Sequence, residues 1–365
     1  MVKMRRRIHL EQKLDGPVKK FMMFFLILMV SAAGFCGFFA KWAFRDGSSA
    51  WGFDAYMEGS GQRPGMYRHL LPKTVRLATD AMPEQVKEKL RTKLIKDHSI
   101  EKRFAQAHIT QKYIIEYNLM YIICIVLYIA SVWILRSLLI EILQDPVSGT
   151  LGALFFGLVF PFFEVLGGYF YDIGEIFFLF LGTRFALHGN WMGLLLLTPF
   201  AEANKEAFFF YLPALYPLLR NHYGEKKAAG ITLFAMFLAG LVYLYARHLY
   251  AGNPGGMVEH HAFDHLKLMF NPLNYFKTSS IYGLPLGSGM FLPHMICVAW
   301  IVKKAWHHLP EMWKAHAKIA LVINGILYFF FVVPDEIRDL SLLYVSFATL
   351  TAYYIGDLIR KNLTM

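Results

Sequence analysis

Of the 365 residues, 56% are hydrophobic and only 17% charged, against roughly 45–50% and about 25% in soluble globular chains. That balance excludes an ordinary water-soluble enzyme and points to a membrane. The formal net charge of +11 does not point to nucleic acid, because the Lys and Arg residues stand at the ends of apolar runs and not along one stripe.

The first apolar run, 21–44, follows Lys3, Arg5, Arg6, Arg7, Lys13, Lys19 and Lys20. It is too long for a signal-peptide core, and Lys41 and Arg45 close it where a small-residue cleavage site would stand. It reads as an uncleaved first helix with a cytoplasmic N-terminus. Further runs fall at 113–135, 149–170, 174–187, 191–201, 206–219, 228–246, 287–302, 317–333 and 340–358, near the length of about 20 residues that spans a bilayer. The expectation is an all-α polytopic transmembrane bundle of about ten helices, one membrane domain over 1–365, in the plasma (inner) membrane with both termini cytoplasmic. The cytoplasmic connections then carry Arg136, Arg184, His188, Arg220, Lys226, Lys227, Lys303, Lys304, Lys314, Arg360 and Lys361, as the positive-inside rule asks. Cys36, Cys124 and Cys297 lie inside apolar runs and read as small core hydrophobes.

Two extracytoplasmic segments are long. Within 45–112, the stretch Pro83 to Ala107 mixes Lys and Glu with periodic Val86, Leu90, Leu94 and Ile95, the pattern of an amphipathic helix lying on a surface. Within 247–286, Gly252, Pro254, Gly255, Gly256, Pro272, Gly283 and Gly287 predict a mobile loop with short helical pieces. The runs 191–201 and 206–219 are too short to span alone and meet at Ala201-Glu202-Ala203-Asn204-Lys205-Glu206. They predict a re-entrant hairpin, with one merged long helix as the alternative.

Under this topology the outer face collects Asp54, Glu58, Arg63, Arg68, His69, Asp172, Glu175, Glu202, Lys205, Glu206, Arg247, His248, Asp335, Glu336, Arg338 and Asp339. A carboxylate at a cavity mouth, such as Asp54, can take a proton from an acceptor hydroxyl. Arg63, Arg68 and Lys205 are candidate phosphate contacts. Asp172 and Glu175 open a helix, where acidic residues also serve as caps. Glu164 falls inside an apolar run and is a functional candidate by position, with Arg184 or Lys205 as its partner. In Glu259-His260-His261-Ala262-Phe263-Asp264-His265, His261 and His265 share a helix face and, with Asp264 or Glu259, could hold a divalent metal. Interfacial histidines bonded to water or headgroups are the alternative.

Taken together, the residues resemble the polytopic GT-C-type glycosyltransferases, particularly compact bacterial members without a large soluble domain. The resemblance rests on an aspartate in the first external loop, Tyr67-Arg68-His69-Leu70-Leu71-Pro72, Tyr171-Asp172 opening a helix, Asn204-Lys205-Glu206 in a short hairpin, and Glu336-Ile337-Arg338 before the last helix. The family often pairs acidic residues in that loop, whereas Asp54 has only Glu58, four residues on. The resemblance implies transfer of a sugar from a polyprenyl-phosphate donor to a glycan or lipid acceptor of the cell envelope. Asp54 is then the base, with Glu58, Asp172 and Glu206 as further catalytic candidates. Arg63, Arg68, His69, Glu202, Lys205, Arg247, His248, Glu336 and Arg338 are the substrate-binding candidates. A polysaccharide polymerase or ligase would use the same donors. A flippase or transporter would show inverted repeats, and only one broken segment is present.

Overall fold

The computed structural model describes residues 16–256, 260–281 and 284–364. Lys3, Arg5, Arg6, Arg7, Lys13, Glu259 and Gly283, used above, lie outside the described residues. The fold is helical and spans a membrane several times. Among the described residues six helices are long and apolar enough to cross a bilayer.

Helix α1 (Pro17–Trp42) opens on a proline, which suits a first turn whose N–H has no helical partner. The first long connection folds into α2 (Phe53–Glu58), α3 (Leu70–Asp80), α4 (Glu84–Asp97) and α5 (Ser99–Arg103). The stretch expected as one amphipathic helix is therefore two, broken where His98 takes a left-handed backbone with φ 45°. No residue of α4 is buried.

Helix α6 (Ile114–Leu143) runs well past Arg136. That residue does not end the helix, because its guanidinium stays half-buried and donates to Thr150 Oγ1 at 3.0 Å. Asp145 caps α7 (Pro146–Phe163) by accepting from the Val147 and Ser148 amides. The run expected to continue to residue 170 stops at Glu164, which leaves helical geometry with ψ 74°. After it come α8 (Phe170–Leu187), α9 (Trp191–Asn204) and α10 (Ala207–Leu249). Lys205 is extended, at φ −160° and ψ 129°, so α9 and α10 do not merge into one helix. By contrast, the runs 206–219 and 228–246 are continuous except at Gly224, where φ 71° and ψ 176° turn the chain and glycine bears the left-handed backbone at no steric cost.

Where a loop with helical pieces was expected, α11 (Ala262–Met269) is followed by a hairpin of β1 (Thr278–Ile281) and β2 (Leu284–Gly287). Thr278 pairs with Gly287 and Ser279 with Leu286. This hairpin is the one sheet among the described residues and departs from an all-α expectation. Helices α12 (Leu292–Ala305), α13 (Glu311–Phe331) and α14 (Tyr344–Thr364) complete the chain.

Successive helices alternate between two poles. At one pole the end of α1 meets the end of α7 through Trp42 Nε1 and the Glu164 carbonyl, 2.8 Å. Arg63 meets Pro254 there, and His265 meets Val332. At the other pole His222 bonds the Leu187 carbonyl and His188 pairs with Glu141. The interior between them is aromatic, with Phe35, Phe38, Phe39, Phe156 and Phe160 fully buried, while Phe24, Leu196, Phe237 and Ile326 face outward, as lipid contact requires.

Candidate functional site

Four segments that are far apart in sequence bring ionisable groups to the first pole. Asp172 stands in the first turn of α8 and accepts the Tyr169 amide at 2.9 Å, so it does cap the helix. Its two oxygens also take Lys205 Nζ at 3.1 Å and Arg338 Nη1 at 2.7 Å. Lys205, at the break between α9 and α10, reaches Glu175 at 2.7 Å and Asp339 at 2.9 Å as well. A buried ammonium with three carboxylates has all its protons engaged. Arg338 completes its fork on Glu336, and Arg68 holds Glu206 through both carboxylate oxygens.

Neutral groups fix these positions. Ser341 donates to Glu175 at 2.5 Å, and Asn324 joins the Asp339 carbonyl to the Leu342 amide. Asn204 donates to the Tyr171 carbonyl at 2.8 Å. A Cβ on Gly174 would lie 2.1 Å from Asn204 Oδ1, so only glycine allows α8 and α9 this approach. Arg68 lies over the Tyr171 ring and Arg338 over Tyr169, at 4.5 and 4.9 Å from the ring centroids.

Carboxyl groups outnumber cations in this network: Glu164, Asp172, Glu175, Glu206, Glu336 and Asp339 face Arg68, Lys205 and Arg338. Glu164 is the odd member. It is 1% exposed and its Oε2 has no hydrogen-bond partner among the described residues. Of its two expected partners, Arg184 sits twelve residues beyond Asp172 along α8, roughly 18 Å at 1.5 Å per residue, and Lys205 acts on it only through space.

The other sequence-derived candidates form their hydrogen bonds and ion pairs outside this network, although Glu202 feels the charge of Glu206. Asp54 Oδ2 accepts from Thr110 and the residue is half-buried. Glu58 is exposed and pairs with Lys112 at 2.9 Å. Arg63 donates to the Gly255 carbonyl, and His69 bonds the Tyr67 carbonyl through Nδ1. Glu202 is buried and accepts the Phe209 amide at 2.9 Å. Arg247 and His248 are exposed in the last turn of α10. His261 contacts Asp264 at 3.2 Å, but the His265 ring turns to the Val332 carbonyl at 2.9 Å and packs on Tyr328. Among the described residues no group of three His, Cys, Asp or Glu side chains gathers to hold a metal ion, so the expected metal set is not assembled.

Sequence reasoning passed over Asn324, Ser341 and Tyr169. Asn324 had a signal, an amide inside an apolar run. It also passed over Asp46, whose carboxylate accepts from Tyr117 at 2.5 Å and from the His108 amide at 3.1 Å. Burial pushes Asp46 up to about 6, against the pull of those two hydrogen bonds.

The helices and the composition define a multi-pass membrane protein with a dry charged network at one pole. No protein-family model, curated protein or solved structure matches this chain.

Proposed function

We propose that the protein is a membrane glycosyltransferase that takes a sugar from a polyprenyl-phosphate donor at the pole carrying the charged network. The observation that carries this reading is the network itself. Ionised groups at membrane depth are costly and are retained where they line a substrate or proton path, and Arg68, Lys205 and Arg338 arrive from three separate segments.

Such a transfer needs a base with a free oxygen beside cationic groups that stabilise a departing phosphate. Asp54 and Glu164 compete for that role. Asp54 shares an oxygen with Thr110 and has no described contact with the network, whereas Glu164 Oε2 is free and feels the charge of Arg338 and Lys205. The reading assigns the base to Glu164. A flippase is the second reading, because one unpaired buried carboxylate also suits proton coupling.

Purified protein in nanodiscs, given a panel of polyprenyl-phosphate sugars and a membrane extract as acceptor, tests the choice. Release of lipid phosphate that depends on acceptor supports transfer. Saturable lipid binding with no release from any donor sinks it and favours the flippase.

A further inference from the structure

The three cations of the network are already neutralised by carboxylates, so an incoming anion would have to displace those partners. A few residues away stand two cations in a different condition. Lys41, in the last turn of α1, makes no ion pair among the described residues and donates to Ser279 Oγ at 3.3 Å. Arg45 likewise makes no ion pair there and lies over both the Trp42 and Tyr169 rings, at 5.3 and 5.4 Å. Lys41 lies over the same Trp42 ring at 5.0 Å. Both side chains are half-buried, so each has given up part of its hydration without a carboxylate in contact; Glu164 acts on Lys41 only through space.

The α7–α8 connection supplies the opposite wall. Trp42 Nε1 bonds the Glu164 carbonyl, and Gly168 packs on Trp42 so closely that a Cβ would lie 2.5 Å from its ring. The backbone amides of Gly167 and Gly168 donate to no group among the described residues. Arg45 itself is held in a left-handed backbone at φ 61°, a conformation that a non-glycine residue keeps only when its surroundings fix it. Leu166 on the same connection is 46% exposed, which gives the site an apolar rim.

We infer that Lys41, Arg45 and the Gly167–Gly168 turn form an anion site that takes the phosphate group of an amphiphile. Two unpaired cations stacked on indole and phenol rings, next to unpaired glycine amides, match a tetrahedral oxyanion, and the apolar rim accepts an acyl or prenyl tail. The inference stands on the unpaired cations. It rests on the reading above only in expecting the phosphate to be that of the polyprenyl donor, and it then places that phosphate beside Glu164.

The test is binding by native mass spectrometry of the full chain in zwitterionic nanodiscs, with polyprenyl phosphate, phosphatidylglycerol and inorganic phosphate as separate probes. The Lys41→Gln/Arg45→Gln variant should lose at least about tenfold in affinity for a phosphate-bearing lipid, while Lys41→Arg retains it and Lys112→Gln is unaffected. Preference for polyprenyl phosphate over phosphatidylglycerol supports the donor assignment. Equal, Lys41- and Arg45-dependent binding of both lipids keeps the anion site but makes it a headgroup anchor, and counts against its use by a donor. Inorganic phosphate binding as tightly as either lipid overturns the amphiphile assignment. Wild-type affinity for every probe in the double variant overturns the site while leaving lipid-linked transfer standing. A melting temperature within error of wild type shows that the variant is folded.

Discussion

Two charged clusters occupy the same pole and are built from the same residue types, yet they differ in burial. In the network around Lys205 the side chains of Lys205, Asp172 and Arg338 are 4, 2 and 7% exposed. In the first connection, Lys112 and Glu58 are 63 and 44% exposed. The first arrangement holds its geometry because loss of any partner strands a charge in a medium that cannot solvate it. The second is exchangeable with water. Fixed charge positions set the network apart, and the proposed chemistry is assigned to it for that reason.

The contrast is broken most directly by Lys205→Met. It removes the ammonium shared by Asp172, Glu175 and Asp339, leaving Asp172 to Arg338 and Glu175 to Ser341, and should cost about 3–5 kcal/mol, seen as a lost or strongly lowered melting transition in detergent. A wild-type transition would show that the carboxylates are solvated after all. Next in size is Gly174→Ala, whose methyl must push Asn204 away from α8. A loss of about 1–3 kcal/mol is expected, and full stability would mean that α8 and α9 separate freely.

A pH effect sharpens the comparison. The folded state raises Asp46 from about 3.9 unfolded to about 6, so the folded chain binds more protons between those values. Its contribution to stability is complete below the lower value and is lost as pH rises through the upper one. Asp46→Asn should flatten the stability profile between about pH 4 and 6; an unaltered slope would assign that slope to other groups. Smallest is Lys112→Ala, which should leave the melting temperature unchanged, since exposed pairs contribute little. A clear drop would place this pair in a drier setting than its exposure indicates.

Hydropathy made the apolar helices legible, because the cost of unpaired backbone groups in lipid forces each such run to be helical. Two positions show where it falls short. Arg136 reads as a helix end, yet a long side chain can snorkel from mid-helix to polar partners, and α6 runs on to Leu143. Lys41 and Arg45 read as topological flanks, because spacing says nothing of whether a cation finds a carboxylate. The grouping of Asp172, Lys205, Glu206, Glu336 and Arg338 on one face was legible from alternation of the runs. Their pairing was not, since it depends on the crossing of α8, α9 and the segment before α14. The hairpin Thr278–Ile281 with Leu284–Gly287 was hidden by the Gly and Pro residues around it, which signal turns without saying what they join.

The measurement that bears most directly on the account is release of polyprenyl phosphate in nanodiscs by two matched variants, Glu164→Gln and Glu58→Gln. Each replaces one carboxyl group by an amide at the same pole, one inside the dry network and one on the wet surface. The account predicts that Glu164→Gln lowers the rate by about a hundredfold or more while Glu58→Gln retains wild-type turnover. Equal rates in the two variants would contradict it and move the chemistry out of the network.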